Sequence, residues 1–313
     1  MFPLYYNRSS DKIYDLVDNN LVSSDKTVPI VDDIPRFINR ETYASLFGDQ
    51  WKQYKKTQLD SYSRLPISTD RLNRILGDLN NNIHGKLVLE AGCGAGRFTE
   101  VLLDKGAILV SSDISTAVEV NKENFPLSEK HFVIQADIND MPFKNGYFDI
   151  VVCIGVIQHT PNPEKTIKDL FDLVKSGGSL IIDHYTLTKS YYFRTAPLYR
   201  RRYRKLSADQ TLTKTKSLVN KFLPLHKKVK GKKLLSVLLN RISPVISYYD
   251  AFPGLDDKLQ EEWAMLDTHD SLTDWHKFFR DKKQITSTLQ QVGAIDIWCE
   301  YGGNGVEARC KKP

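Results

Sequence analysis

The sequence predicts an α/β fold built on a doubly wound, mostly parallel sheet. Three observations predict it. Residues 88–98, Val-Leu-Glu-Ala-Gly-Cys-Gly-Ala-Gly-Arg-Phe, run from an apolar strand through a glycine-rich turn into a helix. Four more short apolar stretches follow, over 108–113, 131–136, 148–154 and 179–184. Helical patterns after the first and the fourth stretch alternate with these strands. Strands separated by helices pair in parallel through right-handed crossovers.

Each element has its own reason. Residues 1–30 are polar and mixed and are expected to be extended or loosely ordered. Helices are expected within 40–60. Ser68 is expected to cap a helix that carries Leu72, Ile75, Leu76 and Leu79 at i, i+3, i+4 and i+7. Strand 86–91 leads into a helix over 96–105, which Gly106 ends. A helix from Pro163 places Ile167, Leu170, Phe171 and Val174 on one face, and Gly177 is expected to stop it. After a long insertion, a helix over 282–292 carries Ile285, Leu289 and Val292 and ends at Gly293. Strands over 295–300 and 305–311 flank Gly302-Gly-Asn-Gly305, a hairpin signal.

Composition narrows the class. The chain has 313 residues, long enough for one large α/β domain and an appendage. Hydrophobic residues make up 41%, enough for a packed core. No apolar run approaches the ~18 residues that span a bilayer. The N-terminus, Met-Phe-Pro-Leu-Tyr-Tyr-Asn-Arg, lacks the charged-then-apolar layout of a signal peptide, so a cytoplasmic location is expected. Cysteines 93, 153, 299 and 310 form no Cys-x-x-Cys pair, so neither a metal site nor a disulfide framework is expected.

The glycine turn carries the first chemical signal. Glycines at 92, 94 and 96 let a ligand approach the backbone, and the helix that follows offers unpaired N–H groups. The fingerprint of a nicotinamide dinucleotide, Gly-x-Gly-x-x-Gly, would need a third glycine at 97, which is Arg97. Asp113 ends the next strand, 21 residues after Gly92, where a carboxylate can accept hydrogen bonds from ribose hydroxyls. A third apolar strand, from His131, ends at Asp137-Ile138.

This order resembles the class I S-adenosylmethionine (SAM) methyltransferases, which have a Rossmann-like sheet. The residues that carry the resemblance are Glu90 with Gly92, Gly94 and Gly96 as motif I, then Asp113, then Asp137. Phe148-Asp-Ile-Val-Val-Cys-Ile-Gly155-Val-Ile-Gln-His159 looks like motif IV and its loop, and Lys175-Ser-Gly-Gly178 looks like the approach to strand five. The resemblance implies that Glu90, Gly92, Gly94, Gly96, Asp113, Ile114, Asp137, Ile138 and Gly155 hold S-adenosyl-L-methionine. It gives Asp137 the adenine amino group and the Ile138 backbone N–H the ring. It also implies a sheet of seven strands, in which the terminal hairpin adds an antiparallel strand. Val28–Phe37, Tyr43–Trp51, Thr57–Asp60, Leu266–Asp270 and Gly302–Val306 resemble the front and tail of a bacterial subgroup associated with surface glycans and secondary metabolites. Gln50, Trp51, Tyr54 and Thr57 would cover the methionine end of the cofactor. Members of that subgroup often carry a cysteine-rich zinc knuckle before the Ile-Pro-Arg-Phe segment. This chain has no cysteine before Cys93.

The insertion bears on the acceptor. Residues 184–241 hold 16 Lys or Arg and one acid, Asp209. The formal charge of the whole chain is +6, so the basic charge belongs to this one segment. Arg200-Arg-Arg-Tyr-Arg-Lys205 and Lys227-Lys-Val-Lys-Gly-Lys-Lys233 are its densest clusters, and Leu234, Leu235, Leu238 and Leu239 form an apolar stripe. The readings are a solvated basic face on a helical lid, a surface for an anionic acceptor or anionic membrane, or nucleic acid, for which no RNA-binding module is present.

Methyl transfer to a hydroxyl needs a base that removes its proton. His159 follows strand four and His184 closes strand five, where ligands bind in open α/β sheets. His269 lies between Asp267 and Asp270 in the sequence, and a carboxylate beside an imidazole raises its basicity. All three are candidate bases, and His269 leads. Four segments are expected: 1–66 as a cofactor cover, 67–184 as the SAM-binding core, 185–270 as the basic lid that selects the acceptor, and 271–313 as the completing helix and hairpin. The leading expectation is a SAM-dependent methyltransferase acting on an oxygen or nitrogen of a sugar-type or small-metabolite acceptor. A nicotinamide-dependent oxidoreductase and a non-catalytic protein that binds a membrane or partner are the alternatives.

Overall fold

The structure is a computed structural model that describes residues 3–38, 53–187, 194–303 and 305–313. The chain divides into two compact units. The first takes Met1–Lys55, Pro66–Thr186 and Phe278–Pro313, and the second Lys56–Leu65 and Leu187–Lys277.

A seven-stranded sheet organises the first unit. Its strands are β7 (Leu87–Ala91), β8 (Ile108–Asp113), β9 (His131–Gln135), β10 (Phe148–Cys153), β11 (Val174–Tyr185), β12 (Ile295–Gly302) and β13 (Gly305–Lys311), in the order β12-β13-β11-β10-β7-β8-β9. Of these seven strands, β13 alone runs opposite to the other six. The strand order reverses direction between β7 and β10, which creates a crevice at their carboxyl ends.

The central strands are apolar on both faces because both faces are covered. Val88, Leu109, Ile150, Val152 and Ile181 join one cluster with Leu72, Ile75 and Leu76 of α2 (Ile67–Leu76) and Phe98 and Leu102 of α3 (Arg97–Asp104). Their sequence neighbours Leu89, Val110, Val151, Leu180 and Ile182 point the other way. They pack with Ile167, Leu170 and Phe171 of α5 (Pro163–Leu173) and Ile285 and Leu289 of α10 (Lys282–Gln291). Helix α4 (Ala117–Asn124) connects β8 to β9.

Three local expectations differ from the structure. Residues 6–35 are ordered into six short strands, β1 (Tyr6–Asn7), β2 (Lys12–Ile13), β3 (Asp15–Val17), β4 (Asn20–Val22), β5 (Thr27–Val31) and β6 (Ile34–Pro35). Tyr5, Tyr14, Leu21 and Val28 enter the core, and the Phe37 N–H donates to the Gln135 carbonyl at 2.8 Å, beside the β9 edge. Ser68 is not a cap: α2 begins right after Pro66, and the Ser68 hydroxyl instead accepts from Arg97 Nε at 3.1 Å. Helix α5 ends at Leu173, before Gly177, because Val174 already pairs with Phe148 in the sheet. The Tyr43–Trp51 segment, with Gln50 and Trp51, and Asn304 of the hairpin lie outside the described residues.

The second unit is helical: α1 (Asp60–Ser63), α6 (Ala196–Tyr203), α7 (Ala208–Val229), α8 (Lys233–Ile242) and α9 (Asp257–Thr273). Ser207 and Gln210 form a capping box that starts α7, and the Asp256 carboxylate caps α9. Tyr248, Phe252 and Trp263 make an aromatic cluster, with ring centroids 5.1–5.4 Å apart. Thr57 belongs to this unit, and its hydroxyl donates to Glu262 at 2.9 Å. Among the described residues, no helix is long and apolar enough to cross a membrane.

Candidate functional site

The glycine turn leaves β7 and enters α3 within six residues. Gly92 has φ +83°, and a Cβ there would lie 2.2 Å from Val156 Cγ2. Both the backbone conformation and the packing therefore exclude a side chain. The Gly92 and Cys93 N–H groups donate to the Ser112 carbonyl at 2.7 and 2.9 Å, which pins the turn to β8.

Asp113 stands at the end of β8 beside that turn. Its Oδ2 accepts from the Gly94 N–H at 3.0 Å, and its Oδ1 accepts from the Ser115 N–H at 2.9 Å and hydroxyl at 2.7 Å. Burial raises its pKa, and the bonds from Ser115 and Gly94 oppose the rise. Oδ1 is filled by the two bonds from Ser115, while Oδ2 retains capacity to accept from a ribose hydroxyl. Asp137 accepts from the Asn139 N–H at 2.8 Å, Ile138 beside it is buried, and the Ile114 carbonyl accepts from Gln135 Nε2 at 3.0 Å. Gly155 follows β10. A Cβ there would meet nothing within 4 Å among the described residues.

Glu90 takes a different position. Its carboxyl lies inside the protein and accepts from the Thr99 hydroxyl at 2.5 Å and the Ser111 hydroxyl at 3.3 Å. Asn121 Nδ2 donates to Thr99 Oγ1 at 2.8 Å, and the His131 ring meets Ser111 Oγ at 3.2 Å. Burial pushes the Glu90 pKa up to about 8. Glu90 therefore ties α3, α4 and β8 together beneath the turn.

Sequence reasoning missed a second network. The Asp183 Oδ1 accepts from the Gly155 N–H at 2.6 Å, while its Oδ2 pairs with the Arg71 guanidinium. Arg74 grips Glu307 with two bonds, of 2.9 and 2.7 Å. The available signal was Arg71 itself, a charged residue on the stripe of Leu72, Ile75 and Leu76.

The three histidines separate. The His159 ring packs edge-on against Tyr185, with centroids 5.3 Å apart. His184 is buried, and its Nδ1–H donates to the Tyr185 carbonyl at 2.9 Å. Its Nε2 meets no hydrogen-bond partner among the described residues, and burial lowers its pKa. His159 and His184 thus flank one residue at the carboxyl ends of β10 and β11. His269 is buried within the second unit, where its Nε2 meets Thr211 Oγ1 at 3.2 Å, and burial lowers its pKa to about 4. Asp267 accepts from Tyr248 and from Gln58. Gln158 is fully buried, and its side-chain amide meets no partner among the described residues.

This sheet order, with a glycine turn at the switch point and an acidic residue ending the adjacent strand, fits the Rossmann-like fold of the class I SAM-dependent methyltransferases. Residues 89–182 match the methyltransferase domain family. The chain is 34% identical over 100 residues to a ubiquinone biosynthesis O-methyltransferase of Coxiella burnetii, covering 31% of this chain and 43% of that protein. It is 31% identical over 137 residues to the protein of the same name from Vibrio parahaemolyticus, covering 41% and 55%. The chain thus spans about half the length of the curated relatives it matches. It is also similar to the solved structure of magnesium protoporphyrin IX methyltransferase from Synechocystis with bound SAH, at 16% identity and a TM-score of 0.46, covering 87% of this chain and 97% of that one.

The cofactor of this class is S-adenosyl-L-methionine, and the residues present fit it. The turn admits no side chain at Gly92, and the Asp113 carboxylate is fixed at the strand end with acceptor capacity to spare.

Proposed function

We propose that this protein is a cytoplasmic enzyme that transfers a methyl group from SAM to an oxygen of a small acceptor, of sugar type or another small metabolite. The observation that carries the reading is the Gly94–Asp113 hydrogen bond, which fixes the glycine turn and the strand-end carboxylate as one cradle. The names of the curated relatives support an oxygen over a nitrogen acceptor.

When bound, the cofactor supplies an activated methyl group for in-line displacement. The chain's own task is to position the acceptor, exclude water and take up a proton. Gly92, Gly94, Gly96, Asp113, Asp137 and Ile138 would hold the cofactor. His159 and His184 are the better candidates for the base, because both lie on the 155–185 rim. The His184 Nδ1–H bond to Tyr185 leaves Nε2 as the basic nitrogen. The Gln158 amide offers a donor and an acceptor to the substrate on the same turn. The basic 187–277 unit is the segment we assign to acceptor choice.

The test is calorimetric titration with S-adenosylhomocysteine, followed by methyl-transfer assays on nucleotide sugars and phenolic metabolites. Micromolar binding and transfer to an oxygen are expected. A folded protein that binds S-adenosylhomocysteine no better than NAD would overturn the reading.

A further inference from the structure

Helix α8 (Lys233–Ile242) presents an apolar face to solvent. Leu234 is 74% exposed and Ile242 59%, with Leu235, Val237 and Leu238 also exposed. Leu234, Leu238 and Ile242 stand at i, i+4 and i+8, so they form one line along the helix, with Leu235 beside them. Leu239 is the residue of α8 that turns into the unit.

The helix is held in place, so its apolar face is a built surface and not a frayed end. Asp250 accepts from the Gly231 N–H at 2.8 Å and from the Ser236 hydroxyl at 3.2 Å at the start of α8. At its end, His226 Nε2 meets the Ser243 hydroxyl at 2.9 Å. The Thr195 N–H and hydroxyl donate to the carbonyls of Arg241 and Ile242, both at 2.9 Å. That contact brings the first turn of α6, with Leu198 68% exposed, to the same end of α8.

Charge frames the stripe. Lys228, Lys230, Lys232 and Lys233 precede or open α8, and Arg241 closes it, all exposed. A second copy of this surface would bring like charges together. An anionic bilayer satisfies both features: leucines enter the boundary between headgroups and acyl chains, and lysines and arginines meet lipid phosphates.

We propose that α8 is an in-plane helix that docks the protein on an anionic lipid bilayer. The docking does not depend on methyl transfer, so it stands or falls separately from the proposed activity.

The test is co-sedimentation of the full chain with phosphatidylglycerol–phosphatidylcholine vesicles and with phosphatidylcholine vesicles alone. Binding is expected on the anionic vesicles only and should weaken as salt is raised. The double variant Leu234→Glu/Leu238→Glu should bind the anionic vesicles at least about tenfold more weakly. Its far-UV circular dichroism should be unchanged, because both positions are exposed. Lys232→Glu/Lys233→Glu should also weaken binding, which keeps the test valid should the leucine variant fail to fold. The proposal is overturned by no wild-type binding to anionic vesicles, equal binding to neutral ones, or wild-type binding by the charge-reversal variant or by a folded leucine variant. Self-association that the leucine variant abolishes, without vesicle binding, would assign the face to a second copy instead.

Discussion

Arg71 and Asp183 form an ion pair inside the first unit, with side-chain exposures of 9% and 1%. The same carboxylate receives the Gly155 N–H, so the pair joins α2, β11 and the turn after β10. A buried pair adds little net stability over an apolar pair, but removing one partner strands the other charge. Arg71→Met should therefore destabilise the protein by about 3–5 kcal/mol, read from urea unfolding. The double variant Arg71→Met/Asp183→Leu should recover part of that loss. A loss in Arg71→Met below about 1 kcal/mol would show that the Asp183 charge finds another partner.

Asp113→Ala should weaken S-adenosylhomocysteine binding by about 1–3 kcal/mol, measured by calorimetry, because ribose hydroxyls would lose a fixed acceptor. It also deprives the Gly94 N–H of its partner. Asp113→Asn keeps an acceptor for Gly94 and should fall between wild type and Asp113→Ala. Equal affinity in all three proteins would remove Asp113 from the site.

The sheet and the glycine–aspartate spacing were legible because both are local. Strands β7 to β11 each contain a short apolar run, the β12–β13 pair is marked by its glycine-rich turn, and Gly92 to Asp113 is one turn-helix-strand step. The β1–β6 strands were not legible, since strands of 2–5 residues are too short to show a period. Their turns did leave a trace: Asp18 and Asn19, and Asp32 and Asp33, all adopt positive φ, as tight hairpins require. The Arg71–Asp183 pair joins positions 112 residues apart, and nothing in a local pattern reports that contact. His269 shows the limit of local spacing: Asp267 and Asp270 are near it in sequence, a helix turns adjacent residues to different faces, and its ring nitrogen Nε2 meets Thr211 Oγ1.

Glu90 should make stability fall with rising pH. Its folded pKa of about 8 lies above the ordinary 4.5, so the folded state holds the proton more tightly across that window. The stabilisation is full below pH 4.5 and is lost as pH rises toward 8, by on the order of 3 kcal/mol at pH 7. Glu90→Gln keeps an acceptor for Thr99 without a charged form. Its unfolding free energy should therefore change less than that of wild type between pH 5 and 8. Because Glu90 lies beneath the turn, S-adenosylhomocysteine affinity should stay near wild type. A large loss of affinity in a stable variant would place Glu90 among the cofactor ligands.

His269 acts at the acid end. Its folded pKa of about 4 lies below the ordinary 6.5, so the unfolded chain takes up the proton first. Stability is full above pH 6.5 and is lost as pH falls toward 4. At pH 5 the cost is about 2 kcal/mol. His269→Gln retains a hydrogen-bonding group for Thr211 and cannot be protonated, so its urea midpoint should fall less than that of wild type between pH 7 and 5. His131, His184 and His226 are also lowered by burial, so some acid loss should remain in the variant. Turnover gives a second, independent readout. A base at His159 or His184 predicts that His269→Gln methylates its acceptor at the wild-type rate at pH 7, whereas His159→Ala or His184→Ala loses about 100-fold or more. Loss of turnover in His269→Gln, with cofactor affinity intact, would return the base assignment to His269.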